Sequence, residues 1–141
     1  MAPTVTKDSV TTFLEATLRH DVDGMVSALA ADAQLISPLS GRMIFRGRAD
    51  LRVLLDAVYG RLTGVTWQEV IGEGSTRVAV GTATVAGVKL TDAMVLDLDE
   101  AGRITRIRPH LRPWPAVTLF ALLLGPKIAR HPGAVRRALR R

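Results

Sequence analysis

A chain of 141 residues, 48% apolar and 23% charged, has the length and composition of one ordinary globular domain with a proper core. It contains no cysteine, which excludes disulfides and thiolate metal sites and is compatible with a reducing compartment. The net charge of +6 is unevenly placed: up to Glu100 there are 9 basic and 13 acidic residues, and beyond it 10 basic and no acidic ones, so the positive charge belongs to the C-terminal part.

The opening MAPTVTKDSV lacks a basic segment followed by an apolar run, so no signal peptide is read there. Residues 1–7 read as a loose terminus. Asp8 or Ser9 can cap a helix carrying Val10, Phe13, Leu14 and Leu18 on one face. Asp21-Val22-Asp23-Gly24 breaks it, and a second short helix through Met25, Val26, Ala28 and Leu29 is expected to end near Ala31-Asp32. Ala33 to Ser37 reads as a short strand stopped by Pro38, with Pro38-Leu39-Ser40-Gly41 as a turn and Met43 to Arg46 as a brief extended piece. Ala49 to Tyr59 returns to helical spacing, with Leu51, Leu54, Leu55 and Val58 on one side.

From Val65 the period becomes two. Val65–Gly72, Arg77–Val85, Val88–Leu98 and Arg103–Leu111 read as four strands, with Ala86-Gly87 and Glu100-Ala101-Gly102 placed for tight antiparallel turns. Within VKLTDAMVLDL, one face carries Val88, Leu90, Asp92, Met94, Leu96 and Leu98. Asp92 is the one polar position on a face that belongs against a core. A carboxyl there must be neutralised, paired, or placed in a pocket that uses it. After Arg112, Pro113-Trp114-Pro115 makes a rigid joint, Ala116–Leu124 is densely apolar, and Gly125-Pro126 is expected to end that segment before a short basic end, Lys127 to Arg141. The apolar run from Trp114 to Gly125 falls short of the ~20 residues needed to span a bilayer. The chain reads as a soluble, cytoplasmic α+β protein, helices first and a strand meander afterwards.

The order and spacing of the first helices, the segments AADAQLISP and FRGRADLRVLL, and the hairpin LDLDEAGRITRI resemble the SnoaL-like branch of the nuclear-transport-factor-2-like superfamily, over roughly residues 9 to 112. The resemblance implies a cone-shaped α+β barrel over residues 1–112, in which a bent antiparallel sheet and its helices enclose an apolar pocket. Residues 113–141 form a helical extension. It also implies a homodimer, a small hydrophobic ligand, and chemistry without metal or cofactor, of the isomerase, polyketide cyclase or (de)hydratase kind. On this reading Phe13, Leu55, Trp67, Leu90, Met94, Ile107 and Leu111 line the pocket. Of the three catalytic groups of the ketosteroid isomerase branch, only the hydrogen-bond-donating Asp has an approximate counterpart, Asp92. The base position is Ser37, before Pro38, and the Tyr position lies near Phe13. The Asp–Arg–Asp relay of the epoxide hydrolase branch is absent, because Asp92 is flanked on its face by Leu90 and Met94.

Three catalytic candidates follow. Asp92, its pKa raised by an apolar pocket, suits general acid or base work, the plain alternative being a structural Asp held by an Arg or by backbone N–H groups. His110 alternates with Ile107, Pro109 and Leu111 on the last strand and so faces outward, unless a bulge at Pro109 reverses it. Ser37 suits a hydrogen-bond donor at the pocket floor. Trp67 and Tyr59 read first as core residues, and no histidine has metal spacing. The apolar-then-basic end reads first as a helix packed over the pocket or dimer seam. Weak contact with an anionic membrane surface is the second reading, and specific nucleic-acid binding is set aside, since no stacking aromatics are interleaved with the arginines. The functional expectation is an enzyme of that cofactor-independent group using a pocket Asp. Its rival is a non-catalytic binding or accessory subunit.

Overall fold

The computed structural model describes residues 8–40 and 42–140; the loose terminus expected over 1–7, Gly41 of the expected turn and Arg141 of the basic end lie outside the described residues. Helix α1 (Ser9–Leu18) starts at Asp8, whose side chain accepts the Thr11 N–H at 2.8 Å, and it buries Val10, Phe13 and Leu14. The segment Asp21–Gly24 both breaks that helix and starts the next. The Asp21 carboxylate accepts the Gly24 N–H at 3.0 Å, and α2 (Val22–Ser27) therefore begins earlier than its apolar residues indicate.

Strand β1 (Leu29–Ile36) also begins early, taking the residues assigned to the end of the second helix. The cause is long-range. Leu29 pairs with Ile104 in parallel register, and the Arg48 guanidinium donates twice to the Leu29 carbonyl, at 3.1 and 2.7 Å. A register shift between Leu29 and Gln34 leaves this first part without the alternation that marks a strand. Strand β2 (Ile44–Arg46) and helix α3 (Arg48–Tyr59) follow, and the meander comprises β3 (Thr63–Ile71), β4 (Thr76–Val85), β5 (Val88–Leu98), β6 (Ile104–Arg108) and β7 (Leu111–Arg112). At the β4–β5 hairpin Ala86 and Gly87 both have positive φ, 46° and 82°, the geometry whose twist suits a two-residue hairpin.

The seven-stranded sheet has the order β2-β1-β6-β5-β4-β3, with β7 also on β5; β1 and β6 are parallel and every other pair is antiparallel. The sheet is curved and does not close, and the helices cover its concave face, which is the expected α+β cone. Helix α4 (Trp114–Ala129) and α5 (Pro132–Leu139) complete the chain, and one core cluster runs from Val10 to Ala138.

The expected stop at Gly125-Pro126 is not a stop. Helix α4 runs through it, because Ala116, Phe120, Leu124 and Ile128 recur every fourth residue and form one buried stripe. Pro126 sits on the exposed side, where its ring displaces nothing in the core. Helix α5 is tied back to α3 by a two-pronged ion pair: Arg137 Nε and Nη2 each donate to an Asp50 carboxylate oxygen at 2.8 Å.

Candidate functional site

Beneath the concave face lies a cavity of about 80 Å³. All seven expected pocket residues line it: Phe13 from α1, Leu55 from α3, Trp67 from β3, Leu90 and Met94 from β5, Ile107 from β6 and Leu111 from β7. Ser37 and Asp92 line it as well. Helix α4 adds Phe120 and Leu124, so the C-terminal extension forms part of the cavity wall.

The long β4–β5 ladder sets the direction of Asp92. Ten consecutive pairs, from Thr76–Asp97 to Val85–Val88, hold β5 without a bulge, so Leu90, Asp92, Met94 and Leu96 share the inner face. Asp92 Oδ1 accepts one long hydrogen bond, 3.3 Å, from the His110 backbone N–H. Its other oxygen has no hydrogen-bond partner among the described residues. No Lys or Arg side chain among the described residues pairs with Asp92; Arg106 and Arg108 lie on the opposite face of the sheet, where both reach Asp97 Oδ2, at 2.8 and 3.3 Å. With apolar walls, burial dominates and pushes the Asp92 carboxyl up to about 7, against which the His110 N–H and the charge of the His110 ring work only in part.

Tyr59 is the second ionisable residue of the lining, and the chemistry of the remaining wall is apolar or hydroxylic. It is buried at the end of α3, and its hydroxyl has no hydrogen-bond partner among the described residues. Burial first, and the negative charge of Asp92 second, drive its pKa upward, so Tyr59 stays a neutral donor. Tyr59 is a core residue, as expected, and it also lines the cavity. The available signal was its position four residues after Leu55 and eight after Leu51, on the stripe that faces the cavity.

The other two candidates differ. The pairing of β5 with β6 and β7 keeps one register across Pro109, from Val95–Arg108 to Asp92–Leu111, so no bulge reverses the strand. His110 consequently points its ring away from the cavity, with Nδ1 3.1 Å from the Ala93 carbonyl, and only its backbone N–H serves the site. The His110 ring, considered for an acid/base role, does not line the cavity. Ser37 does line the cavity, but its Oγ accepts the N–H groups of Leu39 and Ser40 at 3.1 and 3.3 Å. It organises the turn after β1 and has only its proton left to donate.

Trp67 is held in the wall by two contacts. Its indole N–H donates to Thr17 Oγ1 at 2.8 Å, and its ring covers Gly81 on β4, where an added Cβ would lie 2.5 Å from a ring carbon. Glycine is required there by close approach. Among the described residues no group of three or more His, Asp or Glu side chains is placed to hold a metal ion.

The sequence profile of the SnoaL-like domain matches residues 10–107. The chain belongs to the SnoaL-like domain family. No curated protein matches the sequence. Among solved structures, this SnoaL-like chain is similar to an uncharacterised protein with a cystatin-like fold from Silicibacter pomeroyi, at 19% identity and a TM-score of 0.85 over 92% of this chain and 93% of that one. It is similar to a steroid delta-isomerase from Pseudomonas aeruginosa, at 20% identity and a TM-score of 0.79 over 89% and 93%. An epoxide hydrolase/cyclase-like enzyme, SalBIII, of pyran ring formation in the polyether salinomycin gives 17% identity and 0.62 over 74% and 88%. At these identities the likeness establishes the nuclear-transport-factor-2-like fold of the SnoaL-like domain and leaves its chemistry to its own residues.

Proposed function

We propose that the cavity binds a small, largely apolar molecule carrying one oxygen, and that Asp92 moves a proton on it in an isomerisation, cyclisation or (de)hydration that needs no cofactor. One observation carries this reading: a single carboxyl stands in a largely apolar cavity, and among the described residues no Lys or Arg pairs with it. With its pKa raised to about 7, both protonation states are populated near neutrality, which suits a group that must give and take a proton. Tyr59, a neutral donor on the same cavity, suits the oxygen of such a ligand. Two structures sharing the fold carry names of this kind, a steroid delta-isomerase and an epoxide hydrolase/cyclase-like enzyme.

The test is Asp92→Asn against a panel of small cyclic enones, polyketide-like ketones and epoxides. Loss of turnover by about 100-fold or more, with ligand affinity changed only a few-fold, is the expected result. The second reading, a binding or accessory subunit with the same cavity, is favoured by the lack of a second carboxylate or of a histidine in the lining among the described residues. It predicts affinity without turnover in the wild type. A homodimer also fits: Val78, Val80, Ala93 and Val95 leave an apolar, half-exposed strip on the outer sheet face, beside the exposed Val70 and Ile71. Light scattering at two concentrations measures the mass.

A further inference from the structure

Helix α4 has a second face. Opposite the buried stripe of Ala116, Phe120, Leu124 and Ile128, its outer positions are Trp114, Pro115, Thr118, Leu122, Gly125, Pro126 and Ala129. None is charged over four turns. Trp114 is 78% exposed and Leu122 68%, two of the most exposed large apolar side chains of the protein. At its C-terminal end this face continues into α5: Gly125 and Ala129 share one shallow groove with Pro132, Val135, Leu139 and Arg136, and Leu139 is 53% exposed. The apolar tract therefore spans two helices.

The charges around it are of one sign. Arg130, Arg136 and Arg140 are exposed, and their guanidinium groups have no ion-pair partner among the described residues; Arg137 alone of the α5 arginines is paired, to Asp50. No acidic residue follows Glu100 in the chain. An apolar helix face with an exposed tryptophan at one end and unpaired arginines at the other matches the layered chemistry of a lipid surface, acyl region beside anionic headgroup.

We propose that the outer face of α4 and α5 docks on an anionic lipid surface, with Trp114, Leu122 and Leu139 entering the apolar layer and Arg130, Arg136 and Arg140 meeting the headgroups. Charge decides between this occupant and a second copy of the chain. Two such faces packed together would oppose their unpaired arginines without an acid to offset them, whereas anionic headgroups neutralise all three. The orientation also places the cavity wall, through Phe120 and Leu124 on the same helix, next to the lipid. No helix among the described residues is long and apolar enough to cross a membrane, so the contact is interfacial.

The experiment is co-sedimentation of the full chain with vesicles of phosphatidylcholine alone and of phosphatidylcholine mixed with phosphatidylserine, at low and high salt. Removing α4 would open the core, so point variants are used. Arg130→Gln/Arg136→Gln/Arg140→Gln should weaken binding to the anionic vesicles by about 100-fold, at roughly fivefold per basic residue. Leu122→Gln should weaken it by about tenfold or more. Thr118→Glu, on the same exposed face, should do likewise and covers the case in which Leu122→Gln fails to fold. Circular dichroism establishes that each variant compared is folded. Binding that requires phosphatidylserine, falls with salt and falls in both kinds of variant supports the proposal. It is overturned if the wild type ignores anionic vesicles at low salt, if folded variants bind as the wild type does, or if light scattering shows a wild-type oligomer that Leu122→Gln dissociates, which would make the face a self-interface.

Discussion

Asp92→Asn should make the protein more stable, and only above a certain pH. The carboxyl is held near 7 by burial, against 3.8 for an ordinary aspartate. A group whose native pKa is raised keeps its proton longer in the native state, so stability is full below about pH 4 and declines as pH rises toward 7, after which the loss is constant. Three pH units correspond to about 4 kcal/mol. Asp92 is only half-buried, so solvent screens part of that charge, and about 2 kcal/mol is the working expectation. Asparagine has a similar shape and no charge, and its side-chain oxygen can still accept the His110 N–H. At pH 8 the variant should therefore exceed the wild type by about 2 kcal/mol, roughly 5–8 °C in Tm for a domain of this size, shrinking to about 1 kcal/mol at pH 4.5 and to almost nothing at about pH 3. Urea melts at these pH values measure this directly. A variant less stable than the wild type at all of them would refute the reasoning and make Asp92 a structural residue.

The Trp67–Gly81 contact gives a test in the opposite direction: Gly81→Ala should destabilise by about 1–3 kcal/mol and disturb the near-ultraviolet signal of Trp67, because the new Cβ meets both the ring and the Thr66 carbonyl. Tyr59→Phe should leave stability within about 1 kcal/mol, as the hydroxyl has no hydrogen-bond partner among the described residues, while weakening an oxygen-bearing ligand by about tenfold in calorimetry. For the α3–α5 tether, the Arg137 hydrogen bond holds the Asp50 carboxyl below its ordinary pKa, so the tether is intact above the ordinary value and loosens as pH falls through the lowered one. Asp50→Asn should speed amide exchange in α5 at neutral pH and leave the β4–β5 ladder unchanged.

How much of this was readable from residue order depends on whether the partners were local. The period of two in VKLTDAMVLDL located Asp92 on the inner face because β5 pairs with its sequence neighbour β4 through ten unbroken positions. The alternation also set the ring of His110 outward, and the seven pocket residues followed from that geometry and the family resemblance. By contrast, Leu29–Asp32 became strand through pairing with β6, more than seventy positions away, and no local pattern announces that. Helix α4 passed Pro126 because its buried stripe outweighs one missing N–H, which is a tertiary decision. That Asp92 has no Lys or Arg partner among the described residues could not be read either, since it depends on which side chains the helices and the sheet bring together around the cavity. Tyr59 was readable in position but not in role: its spacing puts it on the cavity stripe, while the missing partner for its hydroxyl is a fact of three dimensions.

The two tryptophans of the chain occupy opposite environments, Trp67 in the cavity wall with its N–H on Thr17 and Trp114 almost wholly in water. The molecule thus carries two separate intrinsic fluorophores. A solute entering the cavity should alter the emission and quencher access of Trp67 alone. Transfer of the outer helix face into a less polar layer should shift Trp114 to the blue and shield it from aqueous quenchers. Single Trp→Phe variants would let each event be followed in the same cuvette without any added label.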